Sequence, residues 1–253
     1  MTQQEFKRTY KCGLVLWLSL LEVNEVSLTI VAILPARGGS KRIPKKNIKN
    51  FHGIPIICRT LETIINSSCF DRVIVSTDCR EIIKTVSQIP TCEIHRRTPE
   101  LSDDATGTQQ VIKNACDEMS LNDSDLICCI YPTAVFLTEK MVTDSLQEHI
   151  HANCRFTFAV KEYFHPIQRA FSCENKIIKL PQSVQENTRT QDLQKRFHDV
   201  GYFYWGKCEF WKNSCPVIAD GNQAFILKKN EVWDIDDFED WNLAEIIWSG
   251  MYG

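Results

Sequence analysis

From residue 29 onward, short apolar runs alternate with stretches in which apolar residues recur every three or four positions. Residues 29–34, 72–76 and 126–131 are apolar along most of their length, which is typical of strands buried on both faces. A shorter run at residues 92–95 predicts another strand. Helices are predicted between these runs at residues 55–65, 81–87, 108–119 and 138–150.

This alternation predicts one α/β domain over residues 28–253, built on a mostly parallel, twisted sheet with helices on both faces. Asp78 is placed to cap the helix that begins at residue 81. In open sheets of this kind, ligands bind beyond the carboxyl ends of the strands. The loops after residues 34, 76 and 131 are therefore expected to line one crevice.

Beyond residue 155 the sequence no longer alternates regularly between predicted strands and helices. Residues 156–160 and 201–205 are predicted strands, but the stretch between them is polar and rich in aromatic residues. A protruding arm or hairpin over residues 160–205 fits this pattern better than another strand–helix repeat. Near the end of the chain, residues 233–235 predict a last short strand and residues 238–248 a helix.

Composition narrows the class of protein. Of the 253 residues, 43% are hydrophobic and 24% charged, as in ordinary globular proteins. The net charge of -3 argues against a nucleic-acid binder. The twelve cysteines are scattered without Cys-x-x-Cys spacing, which favours reduced thiols and a cytoplasmic protein.

The first 27 residues are interpreted as an extension outside the predicted domain. Lys7, Arg8 and Lys11 precede an apolar run at residues 12–21, as in a signal peptide, but no small-x-small cleavage site follows. The run is also too short to span a bilayer. We therefore expect neither secretion nor association with a membrane.

The most informative segment is the loop after the first strand, Pro-Ala-Arg-Gly-Gly-Ser-Lys-Arg-Ile-Pro-Lys-Lys-Asn at residues 35–47. Its two glycines allow backbone N–H groups to approach an anion. Arg37, Lys41 and Lys46 can neutralise a triphosphate, and Ser40 can donate a hydrogen bond. The loop matches neither the Walker A pattern nor the dinucleotide fingerprint. The alternative is a solvated basic loop, which its place after the first buried strand disfavours.

Two aspartates near the end of the chain, Asp234 and Asp236, are the candidate metal ligands. On a strand, residues i and i+2 point to the same side, so both carboxylates can face one ion. Magnesium is usually held by carboxylates together with substrate phosphates. The alternative is that the acidic residues at 234–240 only cap the final helix, although Asp237 is available for that purpose.

Further motifs, together with the basic loop, resemble those of a known family. They are Ser-Thr-Asp at 76–78, Pro-Glu-Leu-Ser-Asp-Asp at 99–104, Thr-Gly-Thr at 106–108, Pro-Ile-Gln-Arg-Ala at 166–170, Thr-Arg-Thr-Gln-Asp-Leu at 188–193, His-Asp-Val-Gly-Tyr-Phe-Tyr-Trp-Gly at 198–206 and Asp-Ile-Asp at 234–236. Over residues 30–248 the chain resembles the CMP-sialic acid synthetase (acylneuraminate cytidylyltransferase) family, and within it the pseudaminic acid branch. The resemblance implies a Rossmann-like nucleotidyltransferase fold.

The resemblance also implies a CTP site. The residues that match family positions on the nucleotide are Ala36, Arg37, Gly38, Ser40, Lys41, Lys46, Asn47, Arg97 and Thr108. Arg37, Lys46 and Asp236 are implied to be catalytic, and Asp234 and Asp236 to bind Mg²⁺. Two positions depart from the family pattern. The proline after Arg97 comes one residue late, at Pro99, and Tyr131 stands where the family often has glutamine, which weakens the case for a sialic-acid contact there.

The irregular segment matches the sugar-binding region of the family. The implied sugar contacts are Gln168, Arg169, Arg189, Gln191, Asp192, His198 and Tyr204. Arginine pairs with a carboxylate bidentately, and glutamine can bind amide or hydroxyl groups. For aromatic neighbours such as Trp205, filling the core or a dimer interface is an equal alternative. Because family members usually form homodimers in which a protruding segment reaches the neighbour's site, a homodimer is also implied.

These implications predict a cytidylyltransferase that couples CTP to the anomeric 2-hydroxyl of a nonulosonic acid and releases pyrophosphate. Pseudaminic acid is the expected sugar, and N-acetylneuraminic, legionaminic and deoxyoctulosonic acids are the alternatives. A catalytically silent nucleotide-binding or assembly protein is the alternative from another class. The presence of Arg37, Lys46, Asp234 and Asp236 speaks against it.

Overall fold

The structure is a computed structural model that describes residues 28–102, 106–181 and 187–252. The N-terminal extension and the two aspartates at 103–104 lie outside the described residues. The strands are β1 (Ile30–Pro35), β2 (Asn50–Phe51), β3 (Ile54–Pro55), β4 (Arg72–Thr77), β5 (Cys92–Arg96), β6 (Leu126–Ile130), β7 (Phe156–Glu162), β8 (Ser172–Glu174), β9 (Ile177–Lys179), β10 (Phe197–Lys207) and β11 (Gln223–Leu227). The helices are α1 (Ile56–Ser67), α2 (Arg80–Val86), α3 (Thr108–Glu118), α4 (Glu139–Ala152), α5 (Cys208–Lys212) and α6 (Phe238–Tyr252).

Within the described residues, seven strands form one sheet in the order β11-β7-β10-β6-β1-β4-β5. In its interior, β1 pairs in parallel with both β4 and β6. β4 also pairs in parallel with β5, and β7 with β11. Only β10 runs against its neighbours β6 and β7 among these strands. The expected mostly parallel α/β architecture is therefore confirmed.

Helices cover both faces of the sheet because the interior strands are apolar on both sides. In β1, Ala32 and Leu34 belong to the larger core, to which α1, α2, α4 and α6 contribute. Val31 and Ile33 point the opposite way, into a smaller core shared with α3 and α5. None of the helices in the described part of the chain combines the length and the apolar character needed to cross a membrane.

An exposed hairpin lies in the segment for which an arm is predicted. β8 pairs antiparallel with β9, and the turn residues Asn175 and Lys176 have φ values of 50° and 66°. Two successive left-handed residues are the geometry of a tight hairpin turn. All residues of both strands are exposed, and the side chains of Ile177 and Ile178 remain in contact with solvent. A role for this hairpin in dimerisation stays a prediction.

The prediction of a strand at residues 233–235 is wrong. These residues have no regular structure, and the strand of this region is β11. Trp233 and Ile235 are placed by tertiary packing rather than by a strand ladder. The Trp233 ring centroid lies 5.2 Å from that of Phe136, and the backbone N–H of Trp233 donates to Tyr202 Oη. Ile235 is fully buried. The positions of the two candidate metal ligands therefore do not follow from strand alternation.

The prediction that Asp78 caps α2 is also wrong. The residue before α2 is Cys79, whose N–H donates to Thr77 Oγ1 at 3.1 Å. The Asp78 carboxylate instead accepts the Gly38 N–H at 2.9 Å. Asp78 thus holds the basic loop that follows β1, because that loop brings an otherwise unpaired N–H group within its reach.

Candidate active site

A cleft of about 290 Å³ lies at the carboxyl ends of the interior parallel strands. Its wall combines the loop after β1, residues that follow β5 and β6, the start of α3 and one residue from the segment before α6. The lining residues are Pro35, Arg37, Ser40, Lys41, Arg42, Ile43, Lys46, Asn47, Arg97, Thr106, Thr108, Val111, Tyr131, Pro132, Thr133 and Asp236. The loops after residues 34 and 131 line this crevice, as expected, whereas the prediction that the loop after residue 76 lines it is wrong. That loop supports the crevice from behind, through Asp78.

The basic loop is held tightly where it leaves the sheet. Ala36 is fully buried, and its N–H donates to the carbonyl of Ser76 on β4 at 2.8 Å. Gly38 then passes so close to α2 that a Cβ atom at this position would lie 2.8 Å from Cys79 Cβ. Glycine is therefore required by close approach at residue 38. At Gly39, by contrast, an added Cβ would meet nothing within 4 Å.

Lys46 joins the basic loop to the far end of the chain. Its ammonium donates to the carbonyl of Ile235 at 2.7 Å and lies 4.0 Å from Asp236 Oδ1. Burial lowers the pKa of Lys46, and the charges of Asp236 and Asp234 partly oppose that effect. The neighbouring Asn47 is buried and donates to the Arg37 carbonyl at 3.0 Å, which closes the loop on itself. The structure thus brings the loop and the terminal aspartates together, as expected.

Arg97 reaches the same cleft from the strand end of β5. Its Nε–H donates to Ser76 Oγ at 2.9 Å. Burial lowers the pKa of Arg97 to about 10, and the charge of Asp78 partly opposes this. Nη2 of Arg97 is buried and has no hydrogen-bond partner among the described residues. A buried guanidinium nitrogen without a partner is costly, which indicates that a ligand acceptor belongs there.

Four polar lining residues are not among the site residues predicted from the sequence: Arg42, Thr106, Tyr131 and Thr133. The Tyr131 hydroxyl lies 2.5 Å from Thr108 Oγ1, and burial raises the pKa of Tyr131. The signal for Tyr131 and Thr133 was available, since both follow a buried strand at the expected ligand edge. Arg42 lies in the same basic loop, but the charge pattern of the sequence assigns it no role.

Asp236 is the carboxylate that faces the cleft. Arg42 Nη2 donates to its Oδ1 at 2.7 Å, and the side chain keeps about half of its exposure. Other carboxylates cap the start of α6: Asp237 Oδ1 accepts the backbone N–H groups of Glu239 and Asp240. Asp240 Oδ2 in turn accepts the N–H groups of Asp236 and Asp237. Capping of the last helix therefore does not require the Asp236 carboxylate.

Asp234 and Asp236 are electrostatic neighbours even though they do not lie on a strand. Partial desolvation, followed by the charge of Asp236, raises the pKa of Asp234, although its side chain keeps contact with solvent. The described residues contain no group of three or more acidic, histidine or cysteine side chains arranged to hold a metal. Two adjacent carboxylates beside a cationic loop fit Mg²⁺, because this ion is commonly held by one or two carboxylates plus substrate phosphates.

The predicted sugar residues lie apart from this cleft, and within the described residues none of them lines it. Within the described residues, their hydrogen bonds and ion pairs are formed mainly with one another and with other residues between positions 163 and 196, called the 163–196 segment below. Gln168 Nε2 donates to the Gln194 carbonyl and Arg169 Nη2 to that of Thr188, both at 2.6 Å. Arg189 pairs with Asp192 at 2.7 Å, and Gln191 is exposed between them.

Tyr204 and His198 lie on β10, between the cleft and that segment. The Tyr204 hydroxyl donates to Asp199 Oδ2 at 2.9 Å, and its ring meets that of Tyr131 edge-on, with centroids 6.0 Å apart. His198 Nδ1 lies 2.9 Å from the Asp199 carbonyl, and its ring contacts Tyr163. The Tyr131–Tyr204 contact is therefore the link between the cleft and the predicted sugar residues.

Comparison with known proteins gives consistent matches. The family model described as Cytidylyltransferase matches residues 31–207. The chain is 36% identical over 221 residues to the pseudaminic acid cytidylyltransferase of Campylobacter jejuni subsp. jejuni serotype O:2, covering 86% of this chain and 95% of that protein. It is 29% identical over 231 residues to N-acylneuraminate cytidylyltransferase A of Danio rerio, covering 88% of this chain and 52% of that protein.

A solved structure supports the fold. The chain is similar to CMP:2-keto-3-deoxy-manno-octonic acid synthetase complexed with CTP, with a TM-score of 0.66. The match covers 88% of this chain and 99% of that one, at 13% sequence identity. At this level of identity the similarity concerns the fold alone.

Proposed function

This chain belongs to the cytidylyltransferase family, and on that premise we propose that it couples CTP to the anomeric 2-hydroxyl of pseudaminic acid, releasing pyrophosphate. The observation that carries this proposal is the single cleft shared by Arg37, Lys46, Arg97 and Asp236. With Lys41 and Arg42, five cationic side chains and one carboxylate line the cleft, which suits a triphosphate and its counter-ion. The sugar is assigned from the relative that is 36% identical over nearly its whole length.

The basic loop is the proposed phosphate site. Ser40, Lys41 and Arg37 line the cleft on one side, and Lys46 lines it with an ammonium that uses one of its three donors on the Ile235 carbonyl. Because the backbone of the basic loop and its cationic side chains are held in place by these contacts, they need little reorganisation when a triphosphate binds. Arg97 and Thr108 line the same cleft and are the proposed contacts for the rest of the nucleotide.

Mg²⁺ is the proposed cofactor, with Asp236 and Asp234 as its protein ligands. When bound, the ion supplies positive charge to the phosphate oxygens. Arg42 holds the Asp236 carboxylate at the cleft wall, and Lys46 lies between that carboxylate and the basic loop. These contacts hold a carboxylate beside the proposed phosphate site, so that the ion and the triphosphate can be oriented together.

In the proposed reaction, the sugar hydroxyl attacks the α-phosphorus of CTP in line and pyrophosphate leaves. Arg37 and Lys46 neutralise the charge that develops on the leaving group, and Arg97 orients the nucleotide. No covalent intermediate on the protein is required, so no nucleophilic side chain is assigned. The contribution of the protein is orientation and electrostatic stabilisation.

The sugar is proposed to bind beside Tyr204, in contact with residues of the 163–196 segment. Arg169 and Arg189 are exposed guanidinium groups suited to a sugar carboxylate, and Gln168 and Gln191 to its acylated amines. His198 and Asp192 would complete the polar surface. Because these residues do not line the cleft of their own chain, we propose a homodimer in which the exposed hairpin β8–β9 brings this segment to a partner.

A cytoplasmic location is proposed on the state of the thiols. Each of the eleven cysteines in the described residues is a free thiol, which is typical of a reducing compartment. CTP is also a cytoplasmic metabolite, so the substrate and the thiols point to the same compartment.

Pyrophosphate release from CTP, measured with each of four sugar acids, tests the proposal. Pseudaminic acid is expected to support the highest kcat/KM, ahead of N-acetylneuraminic, legionaminic and deoxyoctulosonic acids. A higher kcat/KM with another of the four would replace the sugar and retain the reaction. If no sugar supports release although CTP binds, the catalytically silent alternative holds.

A further inference from the structure

Behind the cleft, Glu118, His95, Ser76 and Arg97 form one hydrogen-bonded line. Glu118 Oε2 lies 3.2 Å from His95 Nε2, and His95 Nδ1 lies 2.9 Å from Ser76 Oγ. Ser76 Oγ then accepts the Arg97 Nε–H at 2.9 Å. Ser76 and His95 are both buried, with 0% and 1% of their surface exposed. The first three residues have no assigned role in the proposed reaction.

The sheet register explains why these side chains meet. Ser76 on β4 is the direct register partner of His95 on β5, so their side chains share one face of the sheet. Arg97 follows His95 by two residues and extends the same ladder, with its N–H donating to the Thr77 carbonyl. That face is covered by α3, which ends at Glu118 and begins at Thr108 in the cleft.

The donors and acceptors that each side chain can offer determine which atom donates in each hydrogen bond of the line. A guanidinium can only donate, so Ser76 Oγ is the acceptor toward Arg97. Glu118 is a carboxylate acceptor, so His95 carries its proton on Nε2 and accepts at Nδ1. The Ser76 hydroxyl proton then points to His95 Nδ1, which leaves its lone pairs facing Arg97. Burial favours this neutral imidazole, since desolvation lowers the pKa of His95.

We infer that Ser76, His95 and Glu118 are positioning residues that fix the Arg97 guanidinium with its buried, partnerless Nη2 ready for the nucleotide. This inference rests on the proposed CTP site. Ser76 provides the side-chain hydrogen bond that Arg97 makes in the described residues, so its hydroxyl sets the rotation of the guanidinium. His95 and Glu118 act one and two steps further back, since they orient that hydroxyl.

Elsewhere in the fold, a second buried histidine provides a matched control. His149 on α4 places its Nδ1 2.8 Å from Thr157 Oγ1 on β7, and it is 6% exposed. Ser145, fully buried, accepts the Trp205 Nε1–H at 2.9 Å. Both pairs offer hydrogen bonds like those of the Ser76–His95 line, but none of their four residues lines the cleft. Their loss is expected to affect stability and to leave nucleotide affinity unchanged.

The test is a double-mutant cycle on CTP affinity, measured by isothermal titration calorimetry with Mg²⁺ present. Ser76→Ala and Arg97→Ala are each expected to weaken CTP binding about tenfold, and the double variant to bind within about twofold of Arg97→Ala. His95→Phe is expected to weaken binding about fivefold. Ser145→Ala and His149→Phe are expected to bind CTP as the wild type does. Thermal unfolding of each variant reports whether it is folded.

The outcomes separate the two proposals. If the wild type binds CTP and Arg97→Ala weakens it, but Ser76→Ala and His95→Phe do not, the positioning inference is overturned and the CTP site stands. If Ser76→Ala weakens binding equally in the Arg97→Ala background, Ser76 acts independently of Arg97 and the inference is again overturned. If Ser76→Ala does not fold, the cycle is run with His95→Phe. A wild type that does not bind CTP removes the proposed site and the inference with it.

Discussion

The nucleotide cleft and the 163–196 segment are built in opposite ways. In the cleft, Lys46 and Arg97 are partly buried and are held by hydrogen bonds to distant parts of the chain: Lys46 by the Ile235 carbonyl in the segment before α6, and Arg97 by Ser76 on β4. Among the described residues of the 163–196 segment, Arg169, Arg189 and Gln191 are exposed, and the hydrogen bonds and ion pairs of this group stay mainly within the segment. Large apolar side chains there also face solvent, with Phe164 64% and Ile177 68% exposed.

On the proposed function, this difference predicts that the nucleotide half of the site is complete within one chain, whereas the sugar half is completed by a second copy of the chain. Buried charge without a ligand is costly, so a fold that retains Arg97 and Lys46 in its cleft is prepared for an anion. Exposed apolar side chains on a hairpin are the pattern of a surface that is covered by another surface. The following predictions test each half separately.

The largest effect is expected from loss of charge in the cleft. Arg37→Ala and Asp236→Asn should each lower kcat/KM for CTP by about 10²–10³-fold, because each removes a charge that faces the triphosphate or its counter-ion. Initial rates of pyrophosphate release at varied CTP measure this. Asp144→Asn, which breaks an exposed pair with Lys140 on α4, is the control and should leave the rate unchanged. Near-normal activity of either cleft variant would remove the role given to that residue.

A smaller effect is expected from a methyl group in the basic loop. Gly38→Ala should raise the KM for CTP about tenfold, because its Cβ would lie 2.8 Å from Cys79 Cβ and the loop has to move. Gly39→Ala is the matched control, since its Cβ would meet nothing within 4 Å. Equal KM values for CTP in the two variants would show that the close approach of Gly38 to Cys79 does not determine the geometry of the phosphate site.

The 163–196 segment is tested through its hairpin. The double change Ile177→Lys and Ile178→Lys should turn a dimer into a monomer and lower kcat with sugar about fivefold, while CTP affinity stays as in the wild type. Sedimentation velocity and calorimetry measure the two effects. Ile218→Lys, at an equally exposed isoleucine elsewhere, is the control. A hairpin variant that stays dimeric contradicts the proposed interface.

The smallest effect is expected at the junction of the two halves. Tyr204→Phe removes the hydrogen bond to Asp199 and keeps the ring against Tyr131. The KM for the sugar should rise about threefold, since a single partly exposed hydrogen bond that orients the ring contributes at the low end of about 0.5–1.5 kcal/mol. The KM for CTP should not change. A rise in the CTP value instead would place Tyr204 in the nucleotide half.

Much of the fold was predictable because the interior strands carry their own signal. The apolar runs of β1, β4 and β6 predict the interior strands, whose carboxyl ends mark the edge of the sheet where a ligand binds. The basic loop follows β1 and therefore lies at that edge. The irregular segment at 233–235 was misread as a strand because its alternating apolar residues, Trp233 and Ile235, are buried by contacts with distant parts of the chain. A local pattern cannot distinguish that kind of burial from a strand ladder.

The site was also predictable in part, and the limit was set by contacts between residues that are far apart in the sequence. Charge and spacing predict the basic loop and Asp236, which line the cleft, and Asp234, which does not line it. Tyr131 enters the sequence analysis only as a departure from a family pattern. The role of Asp78 was missed because capping is the local choice for an aspartate before a helix, and the Gly38 N–H that it binds is 40 residues away. The line behind Arg97 depends on strand register, which the sequence does not specify.

The central claim is that the basic loop and the terminal aspartates hold one metal–nucleotide complex. A crystal structure with a non-hydrolysable CTP analogue and Mn²⁺, with the anomalous signal used to locate the ion, tests it most directly. We predict the phosphates on residues 37–46 and the ion bonded to the Asp236 carboxylate. Mn²⁺ located away from Asp236, or phosphates bound outside that loop, would contradict the account.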